Sequence, residues 1–194
     1  MKYANYFDMA KNVWYTVKRV FLPENKRCKE MIILGIDPGY GIVGWGVVEK
    51  RGFDFRPIAY GAIKTPPKTP LEFRLSMIYD ELNEIIEKYH PEEMAVEELY
   101  FNTNQTTGIM VAEARGIILL AAFRHHLRIG EYTPLQVKQA VVGYGRAEKR
   151  QVIAMVTSLL RLKEPPKPDD TADALAIALC HGQSVSSLFR DYKG

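Results

Sequence analysis

One acidic residue at the end of an apolar run constrains this chain more than any other feature. Residues 31–36 are aliphatic except for Gly35, a pattern typical of a buried strand, and Asp37 follows them directly. A carboxylate in that place is unfavourable unless a turn, a metal ion or a ligand satisfies it. A Pro-Gly pair then predicts a turn, and residues 42–48 are again β-patterned. The sequence therefore predicts a hairpin with Asp37 at its mouth.

Two other interpretations of this hairpin stay open. Asp-Pro-Gly is ordinary turn chemistry, which would explain Asp37 without a ligand. The spacing of Gly39, Gly41 and Gly44 matches the dinucleotide-binding fingerprint, but that motif needs a helix directly after its first glycines, and the residues here predict a strand. Together with Gly46, these glycines leave no side chains that could block a ligand beside Asp37.

The overall charge argues against nucleic-acid binding through net charge alone. The chain has 194 residues, 47% hydrophobic and 25% charged, which is enough for one well-buried domain. Its formal charge of +3 comes from residues 1–30, which hold seven Lys/Arg and three Asp/Glu and leave 19 basic and 20 acidic residues for the rest. A nucleic-acid site must therefore depend on local clusters of charge.

Three segments are expected along the chain. Residues 1–30 are expected to be an N-terminal extension outside the fold, because Met31 opens the first convincing strand; a basic surface helix is the alternative. Residues 31–185 are expected to form the domain, with residues 186–194 as a C-terminal tail. No apolar run is long enough to span a bilayer, and two cysteines give no disulfide framework. We therefore expect a cytoplasmic protein without a membrane partner.

The order of the elements predicts an α/β fold with a mixed sheet flanked by helices. After the hairpin, the patterns predict strands at 55–63, 94–101 and 131–133, and helices at 69–89, 106–126, 134–142, 147–162 and 171–183. Strands come first as a meander and then alternate with helices, so a parallel doubly wound sheet is not expected. Gly108, Ala112 and Gly116 recur every four residues, which permits close packing either within the monomer or at a dimer face.

Four carboxylates are expected to meet at one edge of this sheet. Asp37 and Glu97 each follow an apolar strand, and Asp170 and Asp173 open a mostly apolar helix. Helix capping explains one of the last two acids more easily than both. Four clustered acids cannot all stay ionised without compensating charge, and hard cations such as Mg²⁺ prefer oxygen ligands. Two divalent ions about 3.5–4 Å apart would supply that charge and would support phosphodiester hydrolysis.

These acids lie in motifs that resemble a known family. The motifs are Gly-Ile-Asp37-Pro-Gly-Tyr-Gly, Ala-Val-Glu97-Glu-Leu-Tyr-Phe, Val-Lys138-Gln-Ala-Val-Val-Gly-Tyr-Gly, Ala-Glu-Lys149 and Asp170-Thr-Ala-Asp173-Ala-Leu-Ala. In this order, over about residues 31–183, they resemble the RuvC family of bacterial Holliday-junction resolvases. The resemblance implies an RNase H-like mixed sheet, a homodimer, and Mg²⁺-dependent symmetric nicking of four-way DNA junctions during recombination and repair. It also implies two Mg²⁺ per site, with Mn²⁺ as a substitute, and the branch-migration proteins RuvA and RuvB as partners.

The resemblance also assigns roles to individual residues. The residues that match the family's catalytic, metal-binding acids are Asp37, Glu97, Asp170 and Asp173. Lys138 and Lys149 match basic residues near the DNA backbone. Tyr100 stands where the family has an aromatic residue, often Phe, that stacks at the junction centre, and its hydroxyl leaves open whether Tyr100 or Phe101 does the stacking. The histidines His125, His126 and His181 show no metal-ligand spacing and are expected to be packing or surface residues.

Local charge favours DNA binding independently of the resemblance. Residues 138–167 hold seven basic side chains and two acids, a local charge of +5 on a nearly neutral body. Such a run usually marks a solvated helix face, but beside metal-binding acids it fits phosphate contacts. The aromatic pair at 100 and 101 suits stacking on unpaired bases, with a core edge as the alternative.

Two other functions are alternatives to a nuclease. A junction-binding module without catalysis would be expected to lack one of the four acids, and none is missing. The Asp-Pro-Gly hairpin also resembles the phosphate loop of actin-like nucleotide-binding proteins. Those proteins need a second, duplicated domain, for which 194 residues leave no room.

Overall fold

The structure, a computed structural model, describes residues 30–99 and 105–191. In chain order the elements are β1 (Glu30–Asp37), β2 (Ile42–Arg51), β3 (Asp54–Lys64), α1 (Leu71–Tyr89), β4 (Glu93–Glu97), α2 (Gln105–Arg124), β5 (Arg128–Tyr132), α3 (Pro134–Val142), α4 (Lys149–Leu159) and α5 (Asp169–Asp191). Of the predicted N-terminal extension, residues 1–29 lie outside the described residues and Glu30 begins β1; the aromatic pair Tyr100 and Phe101 also lies outside them. None of the helices described is long and apolar enough to cross a membrane.

The sheet has the mixed topology that the sequence predicts. Its strand order is β3-β2-β1-β4-β5; β2 is antiparallel to both β1 and β3, and β1, β4 and β5 run parallel to one another. The carboxyl ends of β1, β4 and β5 therefore lie at one edge of the sheet. The same edge receives the start of β2 and the end of β3.

Alternation along the strands divides the core into two layers. Leu34 and Ile36 of β1 pack with α1 and α2, where Ile78, Leu82 and Ile118 are fully buried. The opposite face packs on α3, α4 and α5, and it includes Ile33 of β1. Because side chains alternate along a strand, Asp37 shares its face with Ile33 and points toward α5.

Three glycines let α5 lie unusually close to the sheet. A Cβ atom on Gly44 would lie 1.9 Å from the carbonyl oxygen of Asp170, and one on Gly35 would lie 2.1 Å from that of Ala174. At Gly46 the obstruction would be the Leu175 side chain, at 2.5 Å. The interpretation that Gly44 and Gly46 leave room for a ligand is therefore wrong, because α5 fills that space.

The last helix is longer than the sequence pattern predicts. It runs to Asp191, whereas the prediction ends it at residue 183. Gly182 does not stop the helix; a Cβ there would lie 2.3 Å from the Phe55 ring, so this glycine provides space for an aromatic side chain. The other predicted helices and strands are present, with ends that differ by a few residues.

Candidate active site and nucleic-acid interface

The ends of two neighbouring parallel strands place the first two acids side by side. Ile36 of β1 pairs with Val96 of β4, so Asp37 and Glu97 are the next residues on adjacent strands. In β4 the residue two before Glu97, Ala95, lies in the layer that contains α5. Both carboxylates therefore project toward α5.

The start of α5 brings two more acids to the same edge. The backbone of Asp170 lies against Gly44, which is the β2 partner of Asp37. The Thr171 hydroxyl donates a hydrogen bond of 3.0 Å to the carbonyl of Gly61 in β3, and this contact fixes the first turn of the helix over the sheet. Asp173, one turn further on, lies in the pocket that Glu97 also lines.

The acids at this edge carry more negative charge than nearby cations balance. Burial, together with the negative charges of Asp173, Glu97 and Asp170, raises the pKa of Asp37 from 3.8 to about 8. Lys149 opposes this shift, but its effect is smaller. Burial also raises the pKa of Glu97, and Asp173 adds to that shift. Burial also raises the pKa of Asp173, and Lys149 opposes that shift.

Lys149 is the cation most directly engaged with these acids. Its Nζ lies 3.0 Å from Oδ2 of Asp173 and 3.7 Å from Oδ2 of Asp169. Lys138 also lies close enough to Glu97 to lower its pKa. The two lysines, Glu97 and Asp173 surround a pocket of about 220 Å³ with an apolar floor.

The donor set fits a divalent cation, although it is not a finished coordination shell. No three Asp, Glu, His or Cys side chains within residues 30–99 and 105–191 converge closely enough to hold a metal ion as they stand. Burial, and after it the negative charges of Asp173, Glu97 and Asp170, nevertheless raise the pKa of Asp37, so carboxylate charge at this edge is only partly compensated. Carboxylate oxygens with uncompensated charge are what hard cations bind.

Arg115 is a residue of this edge that the sequence analysis missed. Its Nε donates a hydrogen bond of 3.2 Å to the backbone carbonyl of Glu97, and its guanidinium pairs with Glu131 of β5. The side chain is only 14% exposed. The signal that could have identified it is an arginine directly before the apolar run 116–123 of α2, because buried arginines are normally paired.

A second polar cluster lies at the opposite end of β4. The His181 ring, on α5, hydrogen-bonds the carboxylate of Glu93 through Nε2, and its Nδ1 lies 2.8 Å from the Tyr132 hydroxyl. Arg128 also pairs with Glu93. The prediction that His181 is a packing or surface residue is right about its burial, but it did not include this network.

The structure brings together most of the residues that the sequence singled out. Six lie at one edge of the sheet: Asp37, Glu97, Asp170, Asp173, Lys138 and Lys149. Tyr100 and Phe101 lie outside the described residues, directly after Leu99. The assignment of catalytic and DNA-binding roles to these positions remains a proposal.

The sheet order and the helices on its two faces are those of an RNase H-like fold, the class of protein to which this chain belongs. A family model described as crossover junction endodeoxyribonuclease RuvC matches residues 33–181. The chain therefore belongs to the RuvC family.

Individual relatives agree with this assignment. The chain is 57% identical over 162 residues to the crossover junction endodeoxyribonuclease RuvC of Alkaliphilus metalliredigens, covering 82% of this chain and 99% of the relative. The corresponding protein of Halothermothrix orenii is 58% identical over 154 residues, covering 79% and 93%. Among solved structures, T. thermophilus RuvC in complex with Holliday junction substrate matches with a TM-score of 0.77 at 39% identity, covering 81% of this chain and 96% of that one. The predicted family and fold class are confirmed.

Proposed function

We propose that this chain is a homodimeric, Mg²⁺-dependent endonuclease that resolves four-way DNA junctions by paired nicks during recombination and repair, in the cytoplasm. The observation that carries the proposal is the excess of carboxylate charge around Asp37, in a chain of the RuvC family. The complex of T. thermophilus RuvC with Holliday junction substrate supports the choice of substrate.

The acids are proposed as the ligands of two Mg²⁺ ions. The residues that would hold the ions are Asp37, Glu97, Asp170 and Asp173. Bound there, the ions would supply a reactive water and stabilise charge on the phosphate. Mn²⁺, which also accepts oxygen ligands, would be a substitute.

The protein's own groups orient the site and balance its charge. Arg115 fixes the backbone of Glu97 at the end of β4, so the carboxylate starts from a defined position. Lys149 pairs with Asp173 in the protein alone and, being half exposed, can turn to an incoming phosphate. Lys138 lies on the same pocket and offsets a second phosphate.

The helix α2 is proposed as the dimer face. Ile109, Leu120 and Phe123 are 57%, 48% and 74% exposed, and with Gly116 they recur on one side of the helix. A Cβ on Gly116 would meet nothing within 4 Å in the described part of the chain. The small-residue stripe is thus not used to pack the monomer here, which favours the dimer alternative.

Two further features follow from family resemblance alone. Tyr100 or Phe101 is proposed to stack at the junction centre, a few residues beyond Glu97. RuvA and RuvB are proposed as partners, because they move the junctions on which the family acts.

The proposal is tested with a labelled synthetic four-way junction. The full chain and Asp37→Asn are incubated with it in Mg²⁺, Mn²⁺ or chelator, beside a linear duplex of the same sequence. We expect symmetric, metal-dependent nicks in the junction only, and binding without cleavage by Asp37→Asn. Equal cleavage by Asp37→Asn would refute its role as a metal ligand, and absence of both binding and cleavage by the full chain would refute the function.

A further inference from the structure

The corner between β3 and α1 carries positive charge that the proposed site does not use. Residues 64–74 hold three basic side chains, Lys64, Lys68 and Arg74, against one acid, Glu72. Both lysines are exposed, and neither forms an ion pair within the described part of the chain. Free cations on one surface bind anions.

Arg74 is the fixed member of this group. Its Nε donates a 2.7 Å hydrogen bond to the Thr65 hydroxyl, and its guanidinium carbon lies 4.7 Å from the centre of the Tyr40 ring. Both partners are uncharged, and no carboxylate among the described residues pairs with Arg74. The guanidinium therefore keeps its full charge in a fixed orientation, which is the arrangement that arginine uses to bind phosphate.

The backbone of the corner is also unusual. Lys68 has a φ of 65°, in the left-handed region that residues other than glycine seldom adopt. Such conformations persist where the surroundings hold them, and they are concentrated at functional sites. The conformation keeps Lys68 at the tip of the corner.

The corner lies at the same edge of the sheet as the acids. Asp37 pairs with Gly44 of β2, and Ile42, two residues before Gly44, pairs with Lys64 of β3. Two strand spacings separate β1 from β3, about 10 Å, and Lys64 lies two residues, about 7 Å, further along the strand direction, so Lys64 is roughly 12 Å from Asp37. A strand of DNA with one phosphate at Asp37 can therefore place a nearby phosphate at the corner.

The two lysines proposed above to contact DNA lie on the side of Asp37 that faces away from the corner. Lys138 and Lys149 line the pocket with Glu97 and Asp173, next to β4 and α5. A DNA backbone that follows this edge of the sheet across the acids would also pass the end of β3. We propose that residues 64–74 form a second phosphate-binding surface for the junction, through Lys64, Lys68 and Arg74. This inference rests on the proposed function.

The test is equilibrium binding of a labelled four-way junction by the full chain in chelator, which prevents cleavage, across a series of salt concentrations. The double variant Lys64→Gln/Lys68→Gln is compared with wild type. We expect roughly tenfold weaker binding at about 100 mM salt. The slope of log K against log salt is expected to be less steep by about 2, because each lost phosphate contact removes about 0.9.

The matched control changes two lysines away from the corner, Lys50→Gln at the far end of β2 and Lys88→Gln in the last turn of α1, and is expected to bind within twofold of wild type. Lys138→Gln serves as the positive control for DNA contact. If Lys64→Gln/Lys68→Gln keeps the wild-type affinity and slope while Lys138→Gln weakens binding, the second surface is refuted and the proposed function stands. If wild type itself does not bind the junction, the proposed function has failed.

Arg74 is tested separately because it also supports the loop at Tyr40. Arg74→Lys keeps the charge and Arg74→Met removes it, and thermal unfolding reports whether each variant is folded. We expect Arg74→Met to reduce the salt slope by about 1 and Arg74→Lys to keep most of it. An unchanged slope in folded Arg74→Met would refute the phosphate contact of Arg74.

Discussion

Helix α5 and strand β4 pack against each other, and the charged side chains at one end of this contact are compensated differently from those at the other. Glu93 and Glu97 are four residues apart on β4, about 13 Å, and Asp173 and His181 are eight residues apart on α5, about 12 Å. The two elements run in opposite directions, so Glu97 lies near Asp173 and Glu93 lies near His181. We call these the acidic end, with Asp37, and the histidine end, which the Tyr132 hydroxyl reaches although the Tyr132 backbone pairs with Glu97.

The histidine end is satisfied by the protein alone. Glu93 is 4% exposed and His181 is 5% exposed, yet each has hydrogen-bond partners, and Arg128 adds a positive charge beside Glu93. No buried side-chain nitrogen or oxygen in the described ranges lacks a partner. A carboxylate accepts the Nε2 proton of His181, and Nδ1 can then accept the Tyr132 hydroxyl.

At the acidic end, neighbouring groups compensate the carboxylate charge only in part. Asp37, Glu97 and Asp173 all have raised pKa values, because burial and their neighbours' charges both oppose ionisation. The same pair of elements thus carries fully paired polar groups at one end and, at the other, carboxylates whose charge Lys138 and Lys149 compensate only in part, which we propose to serve ligand binding. Loss of a carboxylate should therefore have opposite consequences at the two ends.

The largest expected difference is in cleavage. Glu97→Gln should lower the single-turnover rate of junction cleavage on the order of 10³-fold, because a metal ligand contributes several kcal/mol to the transition state. Glu93→Gln, the same change on the same strand, should cleave within about threefold of wild type when folded at 20 °C. Circular dichroism confirms folding before each assay. A folded Glu93→Gln protein as inactive as Glu97→Gln would contradict the separation of the two ends.

The second-largest expected effect is on the free energy of unfolding, and here substitutions at the histidine end are the more harmful. His181→Ala or Glu93→Gln should lower the free energy of unfolding by roughly 2–4 kcal/mol, because each leaves a buried polar partner unpaired. Glu97→Gln should leave it unchanged or raise it, since a repelling charge is removed. Urea unfolding in chelator measures all three variants. Equal destabilisation by Glu97→Gln would mean that the acidic end also holds the fold together.

The smallest effect is on the pH dependence of stability. Because the pKa of Asp37 is raised from 3.8 to about 8, the folded state binds a proton more tightly than the unfolded state. Metal-free stability should therefore decrease as pH rises from about 4 to about 8. Asp37→Asn should remove roughly 1–3 kcal/mol of that decrease, a range discounted for partial solvent access. Urea unfolding at pH 5 and pH 8.5 tests this, and identical slopes in wild type and Asp37→Asn would contradict it.

Local patterns were enough to predict the elements and the acidic end. The hairpin at Asp37, the strand before Glu97 and the apolar helix after Asp170 each have a short-range signature, and a mixed sheet brings their ends together. The family motifs then identified the acids and lysines together. These features depend on residues that are close in sequence or on a known order of motifs.

The remaining features depend on contacts between distant segments. Glu93 and His181 are 88 residues apart, and neither has a sequence pattern that pairs it with the other. The approach of α5 to Gly44 needs the helix position, which periodicity does not give. Arg115 has no partner within its own helix, because Glu131, with which it pairs, lies on β5, the strand that follows α2.

The most direct test of the account is thermal unfolding at pH 8 during a titration with Mg²⁺, for wild type, Asp37→Asn and Glu93→Gln. We expect the wild-type melting temperature to rise with Mg²⁺, by an amount equivalent to about 2.7 kcal/mol at a hundredfold excess over Kd. The melting temperature of Glu93→Gln should be lower without Mg²⁺ and should rise by the same amount as that of wild type. The melting temperature of Asp37→Asn should be higher without Mg²⁺ and should rise much less. An undiminished rise in Asp37→Asn, or its loss in Glu93→Gln, would show that the cation does not bind at the acidic end.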